Sequence, residues 1–449
     1  MLDAGKSIHA SCFQVQTATG YQTIVPNRFA EELRNHPDLN FIEAVSKDLF
    51  VQYPGFEGLR QGLEDEVFLT DLVRVKLTQS LGLVTEDLVE EMTDSVQDLF
   101  DSSSAWQSRR LKDDMLDVVS RLSTRVFLGK DSARNHAWLR ISKNYTVDTF
   151  QAADELRKYP SFLRPIIYWF IPSCTKLHAE VKEARVIIEP EVKKRRMQLE
   201  ESLRNNEARP KSADAINWMF EVSKGRPIDF VAAQLSLSVA AIHTTTETLT
   251  SCVLQLCDAP EMIGVLREEI IGILRVHGWS KTSLYQMKLL DSFLKEVQRT
   301  QASMMRLVKK PVTLSDGSHL ESGSRIMICD DGPDSEACFP EPTKFDPARF
   351  LKLRGQPGEE NRHQFVTPAA NHMAFGYGKH ACPGRFFASN EIKIALSVLL
   401  LEFDFEYMPG QSRPPPWELE VSRTVDPEVE VRIRRRVAEI NVRNPQEVV

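Results

Sequence analysis

Residues 375–385 read Phe375-Gly376-Tyr377-Gly378-Lys379-His380-Ala381-Cys382-Pro383-Gly384-Arg385. One cysteine stands among glycines and a proline, which hold the backbone in a shape few residues allow. A helical pattern opens directly after it, through Phe386, Phe387, Ala388, Ile392, Ala395, Leu396, Val398, Leu399 and Leu400. A thiolate at the start of a helix faces backbone N–H groups and the positive end of the dipole, and both lower its pKa. Such a sulfur suits a nucleophile or a metal ligand. Lys379, His380 and Arg385 add to the positive field and could hold acidic groups on a cofactor. A bare cysteine in a glycine turn is more often structural; the length of the run argues otherwise.

The run F-x-x-G-x-H-x-C-P-G-R resembles the haem-binding loop of the cytochrome P-450 monooxygenases. In that family the cysteine is the axial ligand to haem iron and pushes electron density toward bound oxygen. The resemblance implies that Cys382 ligates the iron of haem b, with Phe375 and Gly384 part of the cradle. His380 stands where the family usually has a propionate-binding arginine, a task it can do by hydrogen bond or when charged.

Residues 235–249 read L-S-L-S-V-A-A-I-H-T-T-T-E-T-L. Three adjacent threonines are odd in a helix, because β-branched residues lose rotamer freedom there. Small Ala240 and Ala241 let a flat object approach the backbone. A threonine hydroxyl bonds either a ligand or the preceding turn, so alone the stretch fits a plain buried helix equally well. It resembles the family's oxygen-activation helix, A-G-x-(acid)-T-(T/S). By that alignment Ala240 and Ala241 stand over the haem, Thr244 serves the bound oxygen and Thr245 follows it. His243 occupies the acid position, so proton delivery falls to His243, Glu247 or water.

Glu296-Val297-Gln298-Arg299 puts a glutamate and an arginine one helical turn apart. Alone, such a pair is a surface ion pair of little worth. With Arg349 of Phe345-Asp346-Pro347-Ala348-Arg349-Phe350 it resembles the family's Glu–Arg–Arg network, whose charges are buried only when mutually paired. The implied role is structural: to hold the cysteine loop. Arg306 falls where the family has another propionate-binding arginine. Ser303, Met304 and Met305 would then face the substrate, methionine suiting a large apolar ligand, unless they are ordinary core. The early-helix propionate partner is Arg74 or Lys76, with no ground for choosing. Trp106-Gln107-Ser108-Arg109-Arg110 imitates the family's W-x-x-x-R but lies too far along the chain. A zinc site from His372, His380 and Cys382 is a poorer reading, because a closed structural site takes four ligands.

The chain has 449 residues, 42% apolar and 27% charged, which fits a globular protein. Its net charge of −7 offers no general basic field, so no nucleic-acid partner is expected. The cysteines, Cys12, Cys174, Cys252, Cys257, Cys329, Cys338 and Cys382, are scattered and odd in number, and read as reduced thiols. Met1-Leu2-Asp3-Ala4-Gly5-Lys6 has no apolar h-region, and no stretch is apolar enough to span a bilayer.

Alternation at residues 13–26 predicts a hairpin about Ala18-Thr19-Gly20. Helical patterns cover residues 29–34, most of 63–100, 111–127, 138–156, 177–204 and 214–222, and a long helix from 227 to 256, with Pro165, Pro172 and Pro190 as punctuation. Residues 205–212 read as an exposed loop, 311–320 as a second hairpin, 330–370 as a meander and 421–434 as a last hairpin. Nothing marks a domain linker. The expectation is a mainly α fold with small β-sheets (α+β), one domain over residues 1–449, with the haem between the long central helix and the cysteine-loop helix.

The resemblance spans about residue 10 to 435, and its wording is closest to the fungal branch that includes ent-kaurene oxidase-like enzymes of secondary metabolism. It implies a monomeric haem-thiolate monooxygenase that takes electrons singly from an NADPH-dependent cytochrome P-450 reductase. It would use O2 to hydroxylate or further oxidise a bulky, apolar, terpenoid-like substrate. Rival readings are a haem-dependent desaturation or rearrangement, and an inactive haem-binding truncated form, since the family's usual N-terminal anchor is missing here. Association with the endoplasmic reticulum on its cytosolic side is implied too, through peripheral contact near the early hairpin.

Overall fold

The early alternation folds as read. Strands β1 (Phe13–Thr17) and β2 (Gly20–Pro26) pair antiparallel, and Gly20, at φ +107°, takes the left-handed conformation that closes their turn. The computed structural model describes residue 5 and residues 11–205, 214–299, 303–329, 338–419 and 422–447, apart from the side chains of residues 47, 66, 303, 329, 419 and 422. β2 runs parallel to β8 (Arg325–Cys329), β8 antiparallel to β5 (Ser303–Val308), and β5 antiparallel to β3 (Leu39–Asn40). Beneath this sheet Val25, Phe29, Leu33, Met304 and Tyr377 form a small core of their own.

The larger core belongs to the helices. Phe230–Asp258 is the central one. Asp229 caps it by accepting from the N–H groups of Val231 and Ala232, each at 3.0 Å. It packs against helices Leu111–Phe127, His136–Arg157, Pro172–Arg204 and Arg385–Glu402. The last of these is the helix that opens after Cys382, and it is buried along nearly its whole length.

Several expectations are corrected. Pro190 does not break its helix, which runs unbroken over Pro172–Arg204. The carbonyl left without a donor is that of Val186, whose 75% exposure lets water satisfy it. Within residues 63–100 the chain widens at Leu72–Leu77 into a π-helical turn, a form frequent at functional sites, before helix Leu81–Leu99. The meander contains a helix, Arg349–Arg354. Residues 421–434 are not one hairpin: β11 (Ser422–Thr424) pairs with β10 (Trp417–Leu419), while β12 (Glu430–Arg435) pairs with β9 (Phe403–Tyr407) and β4 (Gln107–Arg110). Val431 and Ile433 need an apolar face, which the aromatic β9 supplies and the polar β11 does not. The hairpin near residue 317 is present, β6 (Val312–Thr313) with β7 (His319–Leu320), turning on Gly317 at φ +87°. Of the loop read at 205–212, residues 206–212 lie outside the described residues, as does Val421.

Candidate active site

The cysteine loop is closed on itself. The Cys382 N–H donates to the Phe375 carbonyl at 2.7 Å, Ala381 to Gly378 at 3.0 Å and Gly376 to Met373 at 2.7 Å. Gly376 and Gly378 sit at φ +67° and +73°, which explains why this turn asks for glycine. A Cβ on Gly384 would lie 3.9 Å from Cys382 Sγ, so the glycine keeps the space beside the sulfur clear. Arg385 folds back, donating to the carbonyls of Cys382 (2.9 Å) and Val366 (3.1 Å). Burial pushes the Cys382 thiol up by more than the N–H groups of Gly384 and Arg385 and the charges of Arg385 and Arg74 pull it down. The helix start, read from sequence as lowering that pKa, is outweighed by desolvation. Phe375 meets Phe365 edge-on with ring centroids 5.2 Å apart, and His380 tilts against Phe41 at 6.2 Å.

Cations converge on the same loop. Arg74, on the π-helical turn, reaches the carbonyls of Ala381 (3.4 Å) and Lys379 (3.5 Å). Lys76 turns away to Glu221. Of the two, Arg74 is the one that reaches the loop, since two residues on points to another side. Arg306, on β5, is 3% exposed and donates to the Tyr377 carbonyl at 3.3 Å. No carboxylate among the described residues is paired with it, and burial pulls it down to about 10. A buried cation without an acid is costly, so this guanidinium calls for an anion.

The central helix contributes a different face. It is buried over most of its length, yet Ala240 and Thr244, one turn apart, are exposed and Ala241 is half-buried. The Thr244 hydroxyl donates to the Ala240 carbonyl at 2.8 Å. Thr245 faces the opposite way: it is buried, and its hydroxyl meets Glu391 on the cysteine helix. Glu391 also accepts from Ser123 Oγ at 2.8 Å, and burial raises its carboxyl to about 8. Sequence reasoning missed Glu391; an acid inside an otherwise apolar helical run was the available signal.

His243 and Glu247 are both engaged elsewhere. His243 Nε2 lies 2.7 Å from the Lys143 carbonyl, and burial lowers its pKa. Glu247 pairs with Lys112 at 2.9 Å and accepts from the Val425 N–H at 2.5 Å. It lines a cavity of about 390 Å³ with Arg299 and Arg413 that includes neither Cys382 nor Thr244.

Glu296, Arg299 and Arg349 are brought together. Glu296 Oε2 lies 3.0 Å from Arg299 Nε and 3.1 Å from Arg349 Nε, all three side chains being buried. Their remaining donors hold the carbonyls of Pro340, Glu341, Pro342 and Lys344. The segment they grip is therefore residues 340–346, upstream of the cysteine loop. Met304 sits in the small core beneath the sheet, where strand alternation puts it, as ordinary core would. Met305, on the opposite face, is half-buried, and the side chain of Ser303 lies outside the described residues. His372, fully buried, donates from Nε2 to the Lys295 carbonyl (3.1 Å), and no group of three metal-ligating side chains occurs among the described residues, so the zinc reading fails.

The sequence model of the cytochrome P-450 family matches residues 67–431. Cytochrome P-450 monooxygenase bsc2 of Alternaria brassicicola is 42% identical over 450 residues, covering 98% of this chain and 85% of that protein. Its counterpart bsc11 from the same organism is 44% identical over 448 residues (98% and 87%). Cytochrome P-450 monooxygenase adrA of Penicillium rubens is 40% identical over 438 residues (96% and 85%).

Proposed function

The chain belongs to the cytochrome P-450 family, and on that premise we propose that it is a haem-thiolate monooxygenase acting on a bulky, apolar, terpenoid-like metabolite. The observation that carries this reading is the pairing of two features. One is a closed glycine loop presenting Cys382; the other is a core helix that leaves only a small-residue face, Ala240 and Thr244, uncovered in its middle. The residues fit haem b. Cys382 would supply the sulfur that holds the iron. Arg306, buried and with no acid paired to it among the described residues, together with Arg74 and His380, suits the two propionates. Ala240 and Ala241 admit a flat ring close to the backbone.

Bound there, the haem supplies oxygen activation and insertion with electrons that NADPH provides through a reductase. The chain's own groups orient and supply protons. Thr244 spends its O–H on the Ala240 carbonyl, so its oxygen lone pairs are left to hold a water on the exposed face. His243 Nε2 must carry its hydrogen, because the Lys143 carbonyl can only accept. Protons therefore reach Thr244 by water, with His243 and Glu247 holding the helix to its neighbours.

Electrons enter singly from the side of the cysteine loop, where Lys379 is exposed. No helix among the described residues is long and apolar enough to cross a membrane. Peripheral contact fits residues 162–170, where Phe162, Ile166, Trp169 and Phe170 are exposed, better than the early hairpin, which exposes Tyr21. The test is incubation of the purified chain with a reductase, NADPH and a panel of terpenoids. A substrate gaining one or more oxygen atoms supports the proposal; reductase-dependent loss of hydrogen without oxygen gain points instead to desaturation.

A further inference from the structure

The tip of the cysteine loop is fastened to a segment well upstream of the family match. Tyr377, Gly378 and Lys379 each meet residues 31–36. The Lys379 N–H donates to Asn35 Oδ1 at 2.7 Å, and Lys379 Nζ to the His36 carbonyl at 3.3 Å. Arg34 Nη1 donates to the Tyr377 hydroxyl at 3.0 Å, its guanidinium lies 5.0 Å from the Tyr377 ring centre, and that hydroxyl in turn donates to Glu31. Between them the backbones touch: a Cβ on Gly378 would stand 2.5 Å from the Arg34 carbonyl and 2.7 Å from Asn35 Oδ1. Gly378 is therefore required twice, by its φ of +73° and by this approach.

Tyr377 is held from both ends. Its hydroxyl belongs to Arg34 and Glu31, while its carbonyl accepts from Arg306 at 3.3 Å. Its ring is buried in the small core with Phe29 and Leu33, from the same upstream stretch. Three successive loop residues thus have their positions set by one short segment. The closing bonds of the loop, Ala381 to Gly378 and Cys382 to Phe375, are built on that tip.

We propose that residues 31–36 are a positioning element for the haem ligand, with Asn35 and Tyr377 the residues through which they fix the cysteine loop. The proposal rests on Cys382 being that ligand. A movement of the loop tip shifts Gly378, then the Ala381 N–H bonded to its carbonyl, then the neighbouring Cys382. Asn35 is exposed, and the Tyr377 hydroxyl is taken up by Arg34 and Glu31, so both are assigned a positioning role and not a ligand role.

The experiment compares the haem-loaded wild type with Asn35→Leu, Asn35→Asp and Tyr377→Phe at matched haem content. It reads the reduced carbon monoxide spectrum and the electron paramagnetic resonance of the ferric state. Asn35→Leu deletes the acceptor of the Lys379 N–H, while Asn35→Asp keeps it. The expected result is a several-fold larger fraction without the thiolate Soret signature in Asn35→Leu, a smaller rise in Tyr377→Phe, and wild-type behaviour in Asn35→Asp. Haem loss in Asn35→Leu that Asn35→Asp restores also supports the proposal. Wild-type spectra in both Asn35→Leu and Tyr377→Phe overturn it, as does equal haem loss in the leucine and aspartate variants. A wild type lacking the thiolate signature would instead refute the site reading beneath it, so the two failures are told apart.

Discussion

His243 Nε2 lies 2.7 Å from the backbone carbonyl of Lys143, which ties the central helix to helix His136–Arg157 at the position where the family motif carries an acid. The bond fixes the tautomer and commits the ring's one proton to a backbone oxygen. His243→Gln is therefore expected to leave the coupling of electron use to oxygenation within about twofold of wild type, far less than the ~10²-fold or more of a lost general acid. Thr244→Ala is expected to divert electrons to peroxide with haem content unchanged. Stoichiometry of NADPH, peroxide and product checks both, and a His243→Gln enzyme as uncoupled as Thr244→Ala would return the relay to the histidine.

Arg74 and Lys76 stand two residues apart and reach different partners. Removing Arg74 takes a cation from the cysteine loop, while removing Lys76 breaks its exposed contact with Glu221. Haem transfer to a scavenger protein is expected to run about tenfold faster in Arg74→Ala, the equivalent of roughly 1.4 kcal/mol. Lys76→Ala should match wild type. Equal rates for the two variants would count against the assignment.

The Glu296, Arg299 and Arg349 set is buried and mutually paired. Deleting one member leaves an uncompensated buried charge, which costs about 3–5 kcal/mol. That is a large part of the roughly 5–15 kcal/mol that holds a typical protein folded. Arg299→Ala should give aggregated or haem-free protein on gel filtration. A soluble, haem-loaded variant that has only lost turnover would contradict the structural role.

Glu391 gives the pH dependence its sign. Its carboxyl titrates at about 8 in the fold against 4.5 for the free group, with burial as the main cause. Between those values the folded state holds a proton that the unfolded state has lost, so stability falls as pH rises through that window, by about 1.4 kcal/mol per unit. Glu391→Gln removes this component, and its thermal midpoint should gain on wild type steadily from pH 5.5 to 7.5, values chosen at roughly even steps inside the window. Parallel midpoints across that range would show the carboxyl to be ionised in the fold.

Much of the fold was legible because its signals are local. The early hairpin and the turn at Gly317 follow from alternation and glycine, and the central helix from a long apolar run. Cys382, Thr244, Arg306 and the Glu–Arg–Arg set were singled out by motif; of these, Arg306 and the Glu–Arg–Arg set are buried, while Thr244 is exposed. What escaped depends on partners far away in sequence. β12 chose β9 and β4 over its neighbour β11 because its apolar face needed an apolar sheet. Met304 reads like a pocket residue until strand alternation sends it beneath the sheet. Glu391 stands out in sequence as an acid in an apolar run, but its partners show only once the central and cysteine helices meet, and those of Asn35 only once residues 31–36 lie against the loop tip. A short periodic pattern cannot encode such meetings, since each depends on which faces the whole chain buries together.

The most direct test of the account is the carbon monoxide difference spectrum of the reduced, haem-loaded protein, taken for wild type, Cys382→His and the control Cys257→Ser. The account predicts the thiolate Soret signature in wild type and in Cys257→Ser, and its loss in Cys382→His. A Cys382→His protein that kept the wild-type spectrum, or a wild type that never showed the signature, would contradict the claim that this loop holds haem through Cys382.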